Sequence, residues 1–230
     1  MNKLKTDRYN GIEQILRIIE QLRSETGCPW DRKQTPETVQ TYLIEESHEA
    51  AAAVRAGKTE DVAEELGDVL FMTFFLIYLY EQRGDFSLEE VCGLIAEKMI
   101  RRHPHVFGET RVNSAEEVKD NWEKIKVVEK QASGKTGVEP VPHSLPALIR
   151  ANRVLSRLSQ KEETDWNDLL KNGHEFARES GELVSGIERG DTASSDELGR
   201  LFVRLVNIAR IQGFRAEDVL HGFLRKIEEN

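Results

Sequence analysis

The fold of this chain is decided at residues 64–80, which read EELGDVLFMTFFLIYLY. From Val69 onward the segment is apolar nearly all round, as expected of a buried helix, and acidic residues stand at its start. The apolar run to Tyr80 contains Thr73 and is too short to span a bilayer, which takes about 20 residues. The segment therefore predicts a helix buried in the protein or at a subunit interface, with carboxylates in its first turns.

Acidic residues also recur on the preceding helical segment. Residues three or four apart share a face of an α-helix, so Glu46 with Glu49, and Glu65 with Asp68, each present two carboxylates in one direction. If the two helices are antiparallel, the four carboxylates converge, and a hard cation that prefers oxygen ligands would relieve their repulsion. The pattern predicts a Mg²⁺ site. The alternative is two solvated acidic faces, which are common in a chain with 41 Asp and Glu among 230 residues.

Helix start and stop signals divide the rest of the first half. Thr35 can cap a helix that has Pro36 at its first position, and Ser87 and Ser114 each open a capping-box sequence. No alternation of β-branched residues and no hairpin signal appears between the apolar runs, so the fold class is all-α, a helical bundle. The predicted helices cover residues 12–22, 36–56, about 60–82, 88–102 and 115 to about 130.

A change of composition divides the chain in two. Several glycines and prolines stand among small and polar residues in the middle of the sequence, which predicts a linker. Beyond it, Glu179 and Glu182, followed by DELGR at 196–200, repeat the layout of the first acidic set. We predict a duplicated helical module with a weakened second copy. The predicted division is a first domain at 1–131, a linker at 132–145 and a second domain at 146–230.

Composition limits the partners and the compartment. The net charge is −9, so we expect no binding to nucleic acid or to an anionic membrane. Cys28 and Cys92 are too few for a disulfide framework, and neither has a partner at zinc-ligand spacing. The first residues lead into polar sequence instead of an apolar signal core, so we expect a cytoplasmic protein.

Several motifs in order resemble a known family. They are GCPWD at 27–31, QT at 34–35, EESHE at 45–49, ELGD at 65–68 within EELGD, and RRHPHVF at 101–107. Together they resemble MazG, a family of nucleoside triphosphate pyrophosphohydrolases. The resemblance implies an all-α dimer that uses Mg²⁺ to cleave nucleoside triphosphates to monophosphate and pyrophosphate. It also implies that Glu46, Glu49, Glu65 and Asp68 hold the metal.

The remaining candidate residues surround that metal set. Glu45 and Glu46 are the predicted catalytic carboxylates; Glu45 either activates the attacking water or lies outside the metal's ligands, facing solvent. Lys98 and Arg102 are four apart on one helix face with Arg101 beside them. The family resemblance favours phosphate binding for these three residues. Basic residues near the C-terminal end of a helix also interact favourably with the helix dipole, which is the alternative explanation.

Two aromatic positions have competing interpretations. Trp122 and Lys126 resemble the aromatic and lysine pair that the family places near the nucleotide, and an indole can stack on any base. A single helical tryptophan is more often part of a core. Trp30 and Asp31 could position the nucleotide, but we favour a role in holding the loop to the bundle.

The second module departs from the motif. Glu179, Glu182 and Glu197 stand where metal ligands are expected, but Arg200 occupies the position that matches Asp68 and would repel Mg²⁺. We therefore predict that this module is catalytically inactive and retained for packing or dimer stability.

Two other functional classes compete with this interpretation. Glu45-x-x-His48 matches one element of a di-iron carboxylate bundle, but such bundles use two, and the chain has no second Glu-x-x-His. A helical dimer that binds a nucleotide or a protein partner without turnover is the non-enzymatic alternative.

Overall fold

The computed structural model describes residues 3–132, 140–160 and 165–229, and within these ranges it contains helices and no strand. The predicted all-α class is confirmed. Short 3₁₀ turns at Asp31–Lys33 and Asp165–Asn167 precede the second and eighth helices. The helices are α1 (Lys3–Arg23), α2 (Pro36–Ala56), α3 (Thr59–Arg83), α4 (Leu88–Arg102), α5 (Pro104–Phe107), α6 (Ala115–Ala132), α7 (Ala147–Leu158), α8 (Leu169–Glu188), α9 (Ser195–Ile211) and α10 (Ala216–Glu228).

The chain forms two compact units, which we call the N-terminal unit (Met1–Lys135) and the C-terminal unit (Thr136–Asn230). The predicted linker at 132–145 includes residues 133–139, which lie outside the described residues. The domain limits therefore stay a prediction from composition.

Local capping chemistry sets the limits of α2, α3 and α4. The Thr35 hydroxyl accepts a hydrogen bond from the Thr38 amide at the start of α2, and Gly57 ends that helix with φ 73°. Gly84 ends α3 at φ 73°, a left-handed conformation that costs glycine little. Ser87 and Glu90 form the predicted capping box at the start of α4. The helix limits that these signals predict are confirmed.

The core of the N-terminal unit joins α1, α2 and α3. Ile19 from α1, Val39 from α2, and Phe74 and Phe75 from α3 are buried together, with Ile77 and Leu79. The segment predicted to be buried or at a subunit interface, Val69 to Tyr80, is buried or half-buried from Phe71 onward. Leu70 is 40% exposed, and Leu66, which precedes that segment, is 53% exposed.

The loop between α1 and α2 is fixed by one arginine. Arg23 Nη1 donates to the backbone carbonyls of Asp31 at 2.7 Å and Gln34 at 3.1 Å. Trp30 packs against Tyr42 of α2, with ring centroids 5.7 Å apart. The contact with Tyr42 is consistent with a role of Trp30 in holding the loop to α2, although Trp30 is 52% exposed. Asp31 takes part through its backbone carbonyl, so the role of its side chain stays a prediction.

The C-terminal unit packs α8, α7 and α10 against α9. Its buried residues include Leu155 and Val206, together with two asparagines, Asn172 and Asn207. Asn207 Nδ2 donates to Asn172 Oδ1 at 2.8 Å and to the Trp166 carbonyl at 3.0 Å, so the buried amides have partners.

Across the part of the chain that the structure describes, no helix combines the length and apolarity needed to cross a membrane.

Candidate functional site

Three of the predicted metal ligands converge. Glu46 and Glu49 lie on α2, Glu65 lies on α3, and one carboxylate oxygen from each lies within 4.8 Å of the other two. α2 and α3 pack closely and are joined by a two-residue turn, Gly57-Lys58, so their acidic faces meet. Six oxygens at about 2.1 Å from Mg²⁺ lie at most about 4.2 Å apart, so small side-chain rotations would let these three oxygens share one cation.

The carboxylates repel one another because no cation balances them. Burial raises the pKa of Glu46, and the charges of Asp68, Glu49, Glu65 and Glu45 raise it further. Burial also raises the pKa of Glu65, with added repulsion from Glu49 and Asp68. Among the described residues, none of these carboxylates forms an ion pair with a lysine or arginine. The described residues of the N-terminal unit therefore leave the charge of this cluster uncompensated.

Asp68 and Glu45 stand at the edge of this cluster. Both side chains are exposed, and Asp68 does not belong to the group of three whose oxygens converge. Its charge nevertheless raises the pKa of Glu46 and Glu65, so Asp68 lies near the three converging carboxylates. Glu45 likewise raises the pKa of Glu46. Their assignment as metal ligand and water-activating base stays a prediction.

The predicted phosphate-binding arginines lie at the end of α4, beside α6. Both bind one carboxylate of α6: Arg101 Nε lies 2.7 Å from Glu129 Oε1, and Arg102 Nη2 lies 2.7 Å from Glu129 Oε2. The hydrogen bonds from Arg102 and Arg101 hold the pKa of Glu129 down at about 2. Lys98 is exposed one turn earlier on α4 and forms no ion pair with the residues that the structure describes.

The predicted aromatic and lysine pair also packs against neighbours. Trp122 meets the His103 ring edge-on, with centroids 5.1 Å apart, and the Lys126 ammonium lies 5.5 Å from the indole centre. Lys126 is also paired with Glu123 at 2.6 Å. His103 Nδ1 is 2.6 Å from the Met99 carbonyl, in keeping with a turn residue and not a metal ligand. The Trp122 indole N–H is buried, and no residue that the structure describes accepts a hydrogen bond from it.

Glu129 was not among the residues predicted from the sequence. One signal was available: Trp122, Lys126 and Glu129 follow helical spacing and lie on one face of α6. The spacing alone does not show which cations face that side, because the arginines come from a different helix 27 and 28 residues away.

The acidic set of the C-terminal unit is arranged differently. Glu179 has a side chain only 8% exposed, and Arg204 Nη2 lies 3.2 Å from its Oε1. Arg178 Nη1 lies 2.7 Å from Glu182 Oε1, and Arg178 Nη2 lies 2.7 Å from Glu175 Oε2. Each carboxylate that stands in place of a ligand on α8 thus already has a guanidinium partner.

Glu197, the third expected ligand position, has another task. Its carboxylate accepts hydrogen bonds from the Ser194 amide at 2.8 Å and from the Ser194 hydroxyl at 2.7 Å, closing the capping box of α9. Glu65 lies a turn inside α3, whereas Glu197 lies in the first turn of α9. Because α9 begins closer to the acidic motif than α3 does, Glu197 lies in the first turn of its helix. There its carboxylate completes the capping box instead of facing a metal site.

Aligning the two units on their N-caps shows how the difference arises. When Thr35, the cap of α2, is matched with Asp168, the cap of α8, Arg178 falls at the position of Glu45. The same match places the buried Asn172 at the position of the buried Val39. The two helix pairs share one scaffold and differ in charge.

The fold and site define an all-α protein built from two related helix pairs, of which the first carries an uncompensated carboxylate cluster. The family model described as MazG nucleotide pyrophosphohydrolase domain matches residues 34–107 and 169–230, one segment in each unit. The chain belongs to this family, and the two matched segments fit the predicted tandem arrangement.

Curated relatives carry matching names. The chain is 34% identical to the nucleoside triphosphate pyrophosphohydrolase of Escherichia coli, over 95% of this chain and 85% of the relative. It is 36% identical to nucleoside triphosphate pyrophosphohydrolase/pyrophosphatase MazG of Thermotoga maritima, over 94% and 82%. The crystal structure of a mazG-related protein from Thermotoga maritima is 32% identical and matches 50% of this chain and 98% of its own, with a TM-score of 0.44.

Proposed function

We propose that this protein is a Mg²⁺-dependent hydrolase that converts nucleoside triphosphates to nucleoside monophosphates and pyrophosphate, with its active site in the N-terminal unit. The observation that carries the proposal is the convergence of Glu46, Glu49 and Glu65, which form no ion pair with a lysine or arginine among the described residues. Family membership and the names of the relatives support the substrate class.

The residues fit a hard divalent cation better than iron. The converging group among the described residues consists of carboxylates alone, and His48 is not part of it. Oxygen ligands suit Mg²⁺, whereas iron sites in helical bundles also use histidine. Glu46, Glu49, Glu65 and Asp68 would hold the ion, which would supply charge neutralisation for the phosphate oxygens when bound.

The other candidates then have defined tasks. Glu45, exposed beside Glu46, would accept a proton from the attacking water. Lys98, Arg101 and Arg102 would bind the phosphates. Trp122 and Lys126 would contact the nucleoside, with the indole stacking on bases of any identity.

We further infer that the C-terminal unit has no turnover of its own, because its acids are already paired with Arg178 and Arg204.

A homodimer is supported by the apolar side chains that the N-terminal unit leaves exposed on α2, α3 and α4. They include Ile44, Leu66, Leu70, Leu94 and Ile95. The net charge of −9 supports an enzyme that does not bind nucleic acid. The cytoplasmic location stays a proposal from the sequence.

The test is release of pyrophosphate and monophosphate from a panel of nucleoside triphosphates, with Mg²⁺ or with EDTA. We expect pyrophosphate only with Mg²⁺, and a loss of about 100-fold or more in kcat/KM for Glu65→Gln. Glu60→Gln, in the first turn of the same helix, is the matched control and should keep wild-type activity. Nucleotide binding without pyrophosphate release would favour a non-catalytic nucleotide-binding module instead.

A further inference from the structure

One carboxylate holds two arginines at the junction of α4 and α6. Glu129 Oε1 accepts from Arg101 Nε at 2.7 Å, and Glu129 Oε2 accepts from Arg102 Nη2 at 2.7 Å and from Arg102 Nε at 3.1 Å. The side chains of Glu129 and Arg102 are 19% and 20% exposed, whereas Arg101 is 54% exposed. Partly buried, charge-assisted pairs of this kind fix side chains more firmly than surface pairs do.

The geometry leaves donors free on both arginines. A guanidinium has five N–H groups. Arg101 uses its Nε towards Glu129, so both of its terminal nitrogens stay without an acceptor among the described residues. Arg102 uses Nε and Nη2, and its Nη1 is likewise free of any acceptor that the structure describes. Glu129 thus fixes the orientation of the two guanidinium planes without covering the terminal nitrogens of Arg101.

Arg101 borders space that a ligand can enter. Arg101, Lys124 and Glu129 line a groove of about 760 Å³, and Arg102 lies beside it, behind Glu129. The other lining residues are apolar: Pro104, Ile125, Val128 and Ala132. This volume is within the range of small-molecule sites. Arg101 and Arg102 alone, adjacent in sequence and long, would lose side-chain freedom on binding a phosphate, and that loss weakens binding.

We propose that Glu129 is a positioning residue that preorganises Arg101 and Arg102 for the phosphates of the substrate. The inference rests on the proposed function, in which these arginines bind phosphate. Glu129 does not touch the substrate; it acts through the two arginines and lowers the entropy cost of binding. A carboxylate that instead competed with phosphate for the arginines would have the opposite effect on substrate affinity.

The experiment compares Glu129→Gln and Glu129→Asp with wild type in steady-state pyrophosphate release. Glu129→Gln keeps the shape but removes the charge, and we expect KM to rise about tenfold with kcat within about twofold. Glu129→Asp keeps the charge on a shorter side chain and should recover part of the loss. Glu13→Gln is the control, because Glu13 pairs with Arg17 at 2.5 Å on α1, outside the candidate site.

The outcomes separate the two proposals. A lower KM in Glu129→Gln would show competition, and an unchanged KM with a lower melting temperature would show a purely structural pair; either overturns the positioning role. The dissociation constant of a non-hydrolysable triphosphate, measured by calorimetry, is the second readout. If wild type binds this analogue but hydrolyses no triphosphate, the proposed hydrolysis fails, while an about tenfold weaker dissociation constant in Glu129→Gln still supports the positioning role. If wild type does not bind the analogue, both proposals fail.

Discussion

The two units carry acidic residues at matching positions of the same helix-pair scaffold. They differ in whether basic side chains compensate the repulsion between these residues. In the N-terminal unit, Glu46 and Glu65 have a raised pKa, first through burial and then through their acidic neighbours. In the C-terminal unit, Glu179 and Glu182 are paired with Arg204 and Arg178. Internal guanidinium groups compensate the carboxylates of the second unit, whereas those of the first stay available for the Mg²⁺ that we propose.

This difference teaches that the motif alone does not define a metal site. An acidic cluster that carries its own cations has no need of Mg²⁺, because its repulsion is already relieved. The decisive change in α8 is one charge reversal at the position of Glu45, together with Arg204 from α9. The comparison can therefore be tested by moving charges between the units.

The largest effect should come from transplanting the arginine of α8 into α2. Glu45→Arg places a cation beside Glu46 and Glu49, as Arg178 stands beside Glu182, and should compete with Mg²⁺. We expect kcat/KM for pyrophosphate release to fall about 1000-fold, and about tenfold or more further than in Glu45→Gln. Glu20→Arg, an equal charge reversal on an exposed site of α1, is the control. Equal activity of Glu45→Gln and Glu45→Arg would contradict the competition.

Removing a carboxylate should change stability in opposite directions in the two units. Glu179→Gln removes the buried partner of Arg204 and leaves the guanidinium only the more exposed Glu175, 3.7 Å away, as an ion-pair partner among the described residues. This change should cost about 1 to 3 kcal/mol of unfolding free energy. Glu46→Gln relieves repulsion and should raise the unfolding free energy of the metal-free protein.

Urea unfolding in EDTA, followed by circular dichroism, measures both changes. The C-terminal unit has a distinct core, so a separate transition for each unit would assign the effects directly. Destabilisation by both substitutions would mean that Glu46 is already neutralised in the folded protein. That result would contradict the difference in charge compensation between the two units.

A smaller effect is expected from pH. The pKa values of Glu46 and Glu65 are raised above 4.5 in the folded protein, so these acids keep their protons at a higher pH than in the unfolded chain. Acidification through the raised pKa values therefore favours the metal-free folded state and weakens Mg²⁺ binding, since protons compete with the ion. Calorimetric Mg²⁺ affinity should fall as the pH is lowered from neutral towards the raised pKa values. Glu46→Gln should flatten this dependence; an identical slope in the variant would argue against Glu46 as a ligand.

Sequence reasoning predicted the elements whose cause is local. The limits of α2 and α4 follow from Thr35, Gly57 and Ser87, which act on neighbouring backbone groups. The convergence of Glu46, Glu49 and Glu65 follows from helical spacing and a short turn. Both kinds of signal lie within a few residues of the structure that they determine.

Features that depend on distant contacts could not be predicted in the same way. The link from Glu129 to Arg102 joins α4 to α6, and the link from Glu179 to Arg204 joins α8 to α9. From the sequence, Arg200 was the residue expected to repel Mg²⁺ in the second module. In the structure, Arg178 and Arg204 form the ion pairs with its carboxylates. Which arginine reaches a carboxylate depends on helix packing, which no local pattern specifies.

The most direct test of the central claim compares Glu49→Gln with Glu182→Gln, the substitution at the matching position of the C-terminal unit, in Mg²⁺-dependent pyrophosphate release. The account predicts that Glu49→Gln loses about 100-fold or more in kcat/KM, while Glu182→Gln stays within about twofold of wild type. Loss of activity in Glu182→Gln with an active Glu49→Gln would place the working site in the C-terminal unit and contradict the account.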